Sequence, residues 1–377
     1  MTPTPQGLLS VYRPDVSQAL AIIDAPSYRH IQVYEHLMRR PLRPFAEATA
    51  LPAAVRDSLT DLGVSTLTLA DSRTSSEGTT KLLLSARDGA SIEAVIMRYR
   101  TRITVCISSQ VGCPVGCGFC ATGGMGFRRS LSTAEIIDQV RAASVIAAEE
   151  GRRISNVVYM GMGEPLLNLQ AVLASIRVLT DPQGLGLSHR ALSVSTIGIP
   201  AGILTLARAE PQVNLAISLH AADDRTRALL VPTSFRYPLS EVLEAAWDHF
   251  ELTHRKLLVE YVLLGGINDS VDDARRLASL LRGHVVAVNL LAWNPVPQPA
   301  APPVQRATET GLVPTAPFRP SSPAAVTAFR HALLNARIEA VVRQSKGSGI
   351  QAACGQLAGR RQSYGGEDAR EHHELRE

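Results

Sequence analysis

ITVCISSQVGCPVGCGFC, residues 103–120, sets how the rest of the chain is read. Its first seven residues, ITVCISS, are an uncharged run of strand length rich in β-branched side chains. The Gly- and Pro-containing loop that follows cannot continue a strand. That loop carries Cys113, Cys117 and Cys120 in a CxxxCxxC spacing. Three thiolates on one short loop can cover one face of a metal cluster. A cubane of four irons takes four ligands, so such a loop leaves one iron open to an external chelator. A structural zinc ion with its fourth ligand elsewhere would suit the same trio.

Downstream, the pattern repeats as strand-like runs separated by helical stretches. NVVYMG (156–161), ALSVST (191–196), VNLAISL (213–219), KLLVEYVLL (256–264) and VVAVNLLA (285–292) are apolar runs of strand length. Between them, Ser132–Glu149, Leu239–Phe250 and Val271–Leu281 have apolar residues at helical spacing. Continuous apolar strands alternating with helices predict βαβ units on a parallel sheet. With 103–109 there are six such runs, fewer than the eight of a closed TIM barrel, so the expected fold is α/β with an open, partial (β/α)6 TIM-like barrel over residues 101–345.

Upstream, KLLLSARDGASIEAVIM places two apolar runs around Asp88-Gly89, the mark of a tight hairpin. Ser27–Met38 and Leu51–Leu62 read as helices. Residues 1–57 are therefore expected to form a small helical module, and 58–100 a β-rich connector. Residues 295–323 hold nine of the 23 prolines and read as an extended insertion. Residues 346–377 contain the last cysteine and a polar tail.

The chain has 377 residues, 45% apolar and 19% charged, enough to bury a sizeable core. No run approaches the roughly 18 apolar residues that cross a bilayer. The start, MTPTPQGLLSVYRPD, lacks a basic segment followed by an apolar one, so a cytoplasmic protein with no membrane role is expected. The net charge of +4 is too small to argue for nucleic acid by itself. Of 38 basic residues only Lys81, Lys256 and Lys346 are lysine; Arg codon bias and phosphate recognition both account for the imbalance. Five cysteines, four of them within fifteen residues, make a poor disulfide framework and suit metal ligation plus reactive thiols.

In a parallel barrel the C-terminal strand ends hold the active site. Here they carry Gly161-Met-Gly163-Glu164-Pro165, Ser195-Thr196, Ser218-Leu219-His220 and Trp293-Asn294-Pro295. A lone Glu or His is usually structural, but four polar clusters on the rim that holds the cysteine loop point to one ligand site. Their donors and acceptors suit an amino acid and a ribose.

The CxxxCxxC loop, with Phe119 directly before the last cysteine, is similar to that of radical S-adenosylmethionine (SAM) enzymes. Together, SSQVGCPVGCGFCATGGMGF, VVYMGMGEPLLN, AISLHAADD, WNPVP and AACGQLAG resemble the RlmN/Cfr family of radical SAM adenine methyltransferases. The likeness runs with interruptions from about residue 20 to 360 and takes in all five cysteines. It implies a small N-terminal RNA-contacting domain before a partial barrel. It also implies one four-iron, four-sulfur cluster per chain on Cys113, Cys117 and Cys120. Gly163, Glu164, Ser195, Ser218, Leu219, His220 and Asn294 match the SAM-contacting positions, with two SAM molecules used per turnover.

In the reaction that the resemblance implies, Cys354 is methylated by one SAM. A 5′-deoxyadenosyl radical from the second SAM then activates the S-methyl group, so that a carbon radical adds to the electron-poor carbon 2 of adenine. Glu93 matches the proton acceptor, and Cys106 the partner that releases the product through a transient disulfide with Cys354. The implied substrates are 23S rRNA and tRNA, and a flavodoxin- or ferredoxin-like donor would reset the pair; a monomer is expected. Methylation at carbon 8, the Cfr-type activity linked to ribosomal antibiotic resistance, uses the same five cysteines and is the nearest rival. A non-catalytic iron–sulfur or zinc RNA-binding protein is a more distant one, since binding alone needs neither Cys354 nor Cys106. Three features depart from the family pattern: Lys346-Gly347-Ser348-Gly349 stands where Arg-Gly-x-Asp is usual, Arg129-Ser130-Leu131 where Arg-Asn-Leu is usual, and the 295–323 segment is longer.

Overall fold

In the computed structural model, residues 4–39, 42–296, 318–343 and 346–359 are described. The Pro-rich expectation for 295–323 falls mostly on residues 297–317, and that for the tail on 360–377; both lie outside the described residues. The six apolar runs all form strands: β4 (Ile103–Cys106), β7 (Asn156–Tyr159), β8 (Leu192–Thr196), β9 (Asn214–Ser218), β10 (Leu257–Leu263) and β11 (Val286–Ala292). Each pairs in parallel with the next in the chain. The strands are shorter than the apolar runs because residues such as Ser108 and Ser109 leave the sheet to bond elsewhere. Ser108 N donates to Gln139 Oε1 at 2.7 Å and Ser109 N to the Met162 carbonyl at 2.8 Å.

A seventh parallel strand, β12 (Glu339–Arg343), adds to β11. Its exposed Val341 and Val342 lack the buried alternation of an ordinary edge, which hid it in the sequence. At the other end, β1 (Leu67–Thr74), β2 (Thr80–Ala86) and β3 (Ser91–Arg98) extend the same sheet in antiparallel fashion. The connector is thus part of one open ten-stranded sheet. A separate ribbon pairs β5 (Gln110–Gly112) with β6 (Phe127–Ser130) around the cysteine loop and the short helix α5 (Ala121–Gly124).

Helices α6 (Thr133–Glu149), α7 (Leu169–Thr180), α8 (Pro200–Ala209), α9 (Asp224–Leu230), α10 (Leu239–Thr253), α11 (Val271–Leu281) and α12 (Pro323–Asn335) connect the parallel strands. Ser132 caps α6 in a capping box with Glu135, and Ser270 does the same for α11 with Asp273. Arg129, in the Arg-Ser-Leu departure, donates to Glu135 at 2.8 Å and to Asp88 at 2.8 Å. It thereby pins the β2–β3 turn to the start of α6.

The N-terminal helices α1 (Pro5–Tyr12), α2 (Pro14–Ile22), α3 (Ser27–Arg39) and α4 (Ala53–Thr60) share one apolar core cluster with the barrel. At their junction Arg141 and Asp138 are fully buried and paired at 2.6 Å. Tyr12 Oη donates to Asp138 at 2.5 Å, and Thr66 donates to its other oxygen through both N and Oγ1 at 2.7 Å. Arg141 also donates to the carbonyls of Leu37 at 2.9 Å and Val64 at 2.7 Å. One buried pair therefore joins α1, α3 and the connector to α6. Removing one partner of such a pair strands the other charge. Arg141→Met is expected to cost about 3–5 kcal/mol, read by urea unfolding followed by circular dichroism.

Candidate active site

The parallel register brings the C-terminal ends of β4 and β7–β11 to one rim, where a cavity of about 450 Å³ opens. That size is in the range of small-molecule and cofactor sites. Cys113, Cys117, Cys120, Gly163, Glu164, Ser195, Ser218, His220, Asn294, Cys106 and Cys354 all line it. Two of the sequence candidates do not. Leu219 is fully buried and uses its backbone N to bond the Glu260 carbonyl at 3.0 Å, and Glu93 lies behind the lining.

The cysteine loop is fixed from several sides. Trp293 Nε1 donates to the Phe119 carbonyl at 2.8 Å, and Gly118 N to the Leu230 carbonyl at 3.1 Å. A Cβ on Gly123 would lie 2.6 Å from the Cys117 carbonyl oxygen, so α5 packs against the loop as only glycine allows. Burial pushes the Cys113 thiol up to about 12 and the Cys117 thiol well above its usual value; the neighbouring cysteines and Glu164 add to both shifts. Iron ions held there would reverse that balance, because iron binds the thiolate. Cys113, Cys117 and Cys120 line the cavity together from one loop, and three thiols so placed suit a cluster that takes one thiolate per iron.

Beside the loop, Glu164 is buried and its two oxygens accept from Leu166 N at 3.0 Å and Ile197 N at 2.9 Å. Burial raises its carboxyl to about 7 against those two bonds, and an ammonium group on a ligand would favour the ionised form. The preceding Gly163 has φ +103°, and a Cβ there would lie 2.6 Å from Gln110 Cβ. Gln110 Oε1 in turn accepts from Glu164 N at 2.9 Å. Ser195 and Ser218 share a hydrogen bond of 3.1 Å across adjacent strands. His220 sits at φ 61°, its Nδ1 accepting from Val262 N at 3.1 Å. Burial, with Arg227 nearby, lowers the ring to about 3, so it is neutral with its proton on Nε2.

Cys106 is buried at the end of β4 and Cys354 is exposed to the cavity; both are free thiols. Burial raises the Cys106 thiol to about 12, with Cys354 adding to the shift. The loop carrying Cys354 is tied to α5: Ala121 N donates to the Gly355 carbonyl at 2.7 Å and Thr122 Oγ1 to the Leu357 carbonyl at 2.7 Å. Glu93 faces this loop from β3. One of its oxygens accepts from Ala358 N at 2.7 Å, and the other pairs with Lys81 at 3.1 Å. It is thus a buried, ion-paired residue, not the solvent-facing one that a hairpin position suggests.

Sequence reasoning did not pick out the aromatic and basic part of the lining. Tyr99 lies between two cations, Arg102 at 4.6 Å and Lys346 at 4.8 Å from its ring centre. All three line the cavity. Among the described residues neither cation has a carboxylate within ion-pair distance. Glu260 and Arg343, 3.6 Å apart, line it as well. No local spacing links residues 99, 102 and 346; only β12 and the loop after it bring them together.

Residues 107–279 match the family model described as the radical SAM superfamily. The chain is 42% identical over 332 residues to a protein of Thermus thermophilus named probable dual-specificity RNA methyltransferase RlmN, covering 88% of this chain and 89% of that one. It is 43% identical over 346 residues to the dual-specificity RNA methyltransferase RlmN of Syntrophobacter fumaroxidans, covering 91% and 95%. A crystal structure of a radical SAM methyltransferase from Sphaerobacter thermophilus superposes with a TM-score of 0.85 at 39% identity, over 95% of this chain and 98% of that one. Because Gly163 has neither room nor a favourable φ for a side chain, Gly163→Ala is expected to weaken SAM binding by about tenfold or more while iron content is retained. Calorimetry on the cluster-loaded protein reads this directly.

Proposed function

This chain belongs to the RlmN family of radical SAM RNA methyltransferases, and on that premise we propose that it methylates carbon 2 of one adenine in 23S rRNA and in tRNA. The observation that carries the reading is that Cys106 and Cys354 line the same cavity as Cys113, Cys117 and Cys120. A protein that merely bound RNA would have no use for two free thiols there.

When bound, the cluster and SAM supply the reducing electron, the 5′-deoxyadenosyl radical and the methyl group. The chain's own residues do the rest. Glu164 offers a carboxylate to the ligand's ammonium group, while Ser195, Ser218, His220 and Asn294 supply polar contacts along the same rim. Cys354 accepts the methyl as a thioether, a reaction that suits a sulfur nucleophile on an accessible loop. Glu93, which accepts from Ala358 N on that loop, is the acceptor assigned to the ring proton. Cys106 then forms a disulfide with Cys354 as the methylated base leaves, and an external donor of flavodoxin or ferredoxin type reduces it. The working unit in this reading is the monomer.

RNA reaches this cavity as a single splayed-out adenosine, because a stacked base cannot enter. Tyr99, Arg102 and Lys346 line the same cavity, and the charge of the two cations suits the phosphates that flank such a nucleotide. The N-terminal helices contribute further RNA contact.

The test is anaerobic incubation of cluster-loaded protein with SAM, reductant and unmodified 23S rRNA fragment, then nucleoside mass spectrometry. 2-Methyladenosine is expected, and 8-methyladenosine would transfer the protein to the rival activity. Cys354→Ala should abolish product without changing RNA affinity. Arg102→Ala with Lys346→Ala should weaken RNA binding and lower the slope of log affinity against log salt by about 0.7–0.9 for each phosphate left without its cation.

A further inference from the structure

Lys81 and Glu93 form a buried ion pair, 3.1 Å apart, on the paired strands β2 and β3. Between them they hold the reactive loop at both ends. Lys81 Nζ also donates to the Gln351 carbonyl at 3.3 Å, three residues before Cys354. Glu93 accepts from Ala358 N at 2.7 Å, four residues after it. The other ties of this segment are neutral: Ala121 N to Gly355, Thr122 to Leu357, and Gln356 Nε2 to the Pro295 carbonyl at 3.2 Å. Lys81 and Glu93 are the charged side chains that hydrogen-bond the loop backbone on either side of Cys354.

We propose that Lys81 is a positioning residue for Cys354: with Glu93 it forms a latch that sets where the reactive sulfur sits in the cavity. Two features support this beyond the distances. Both partners are buried, at 8% and 1% exposure, so the pair is poorly screened and removing one charge strands the other. In addition, 35 of the 38 basic residues are arginine, yet this slot holds one of only three lysines. A compact ammonium on an unbranched stem can bond a carboxylate and a single carbonyl together, whereas a planar guanidinium fork needs a wider site.

The latch has a chemical purpose. Cys354 must meet the methyl donor, the substrate ring and Cys106 in turn, so its loop has to be held in place and also able to shift. An ion pair on the neighbouring strands suits both needs, because it holds the loop through side-chain bonds to its backbone at two points. The functional part of the inference rests on Cys354 being the methyl acceptor; the mechanical part does not.

The experiment uses the cluster-loaded full chain, with Lys81→Met. Hydrogen exchange of peptides spanning 350–358 is expected to quicken about tenfold, the equivalent of one lost hydrogen bond, with strands β10 and β11 unchanged. Without RNA, the single-turnover rate of Cys354 methylation should fall about tenfold, with its dependence on SAM concentration unaltered. Wild-type exchange in the loop overturns the latch, as does loop exchange that quickens only together with the barrel strands. A methylation defect that excess SAM repairs also overturns it, since that would be a binding defect. Lys81→Gln, which keeps a neutral donor, serves the same comparison if the methionine variant does not fold. If wild-type Cys354 accepts no methyl from SAM, the functional reading fails, and exchange alone then judges the latch.

Discussion

Seven parallel strands do not close a barrel, and what the chain does with the open side governs the rest of the molecule. A closed barrel pairs every strand, whereas here β12 has a free edge whose valines face the cavity. The segment after β12 turns back across this opening and docks on the far end of the sheet. Lys346 Nζ reaches the Arg98 carbonyl at 3.3 Å, Gly347 packs against Thr79, and Ala358 bonds to Glu93. The three antiparallel strands of the connector are the surface that receives it. Cys354 thus comes from a segment that bridges two ends of one sheet, which lets it be accessible to the cavity and anchored at once.

Burial does the electrostatic work around this opening. The same desolvation that raises the Cys113 and Cys117 thiols also raises Glu164 and lowers His220. Arg102 and Lys346 add positive charge to another part of the lining. Such a layout suits a reaction in which charged and radical species enter with the cofactors, while the polyanionic substrate stays outside apart from one base.

The departures from the family pattern sit within this frame. Arg129, the first residue of the altered Arg-Ser-Leu run, keeps the hairpin turn fastened to α6 through Asp88 and Glu135. Lys346, in place of the usual arginine, makes a single contact with a carbonyl and a face contact with Tyr99, both within reach of an ammonium. The loss of an acidic residue at Gly349 leaves the loop to rely on Glu93, across the sheet, for its carboxylate.

How much of this could be read from the sequence follows from the range of each signal. Apolar runs and helical spacing are local, so all six core strands, the hairpin at Asp88-Gly89 and the main helices were legible. So were the CxxxCxxC loop and the polar residues at strand ends, because a parallel strand places its last residues on the active rim wherever it occurs. β12 was not legible: a short edge strand with exposed valines has no periodicity to detect. Nor was the setting of Glu93, since whether a strand residue faces solvent or an ion pair depends on what packs over it, here a loop 265 residues away. The same holds for Tyr99, Arg102 and Lys346, and for the Tyr12–Asp138–Arg141 junction. Sequence alone determined the element types and the chemistry available to them. Tertiary structure alone decided which charges meet, because pairing across long separations depends on the closure of the sheet and leaves no trace in local order.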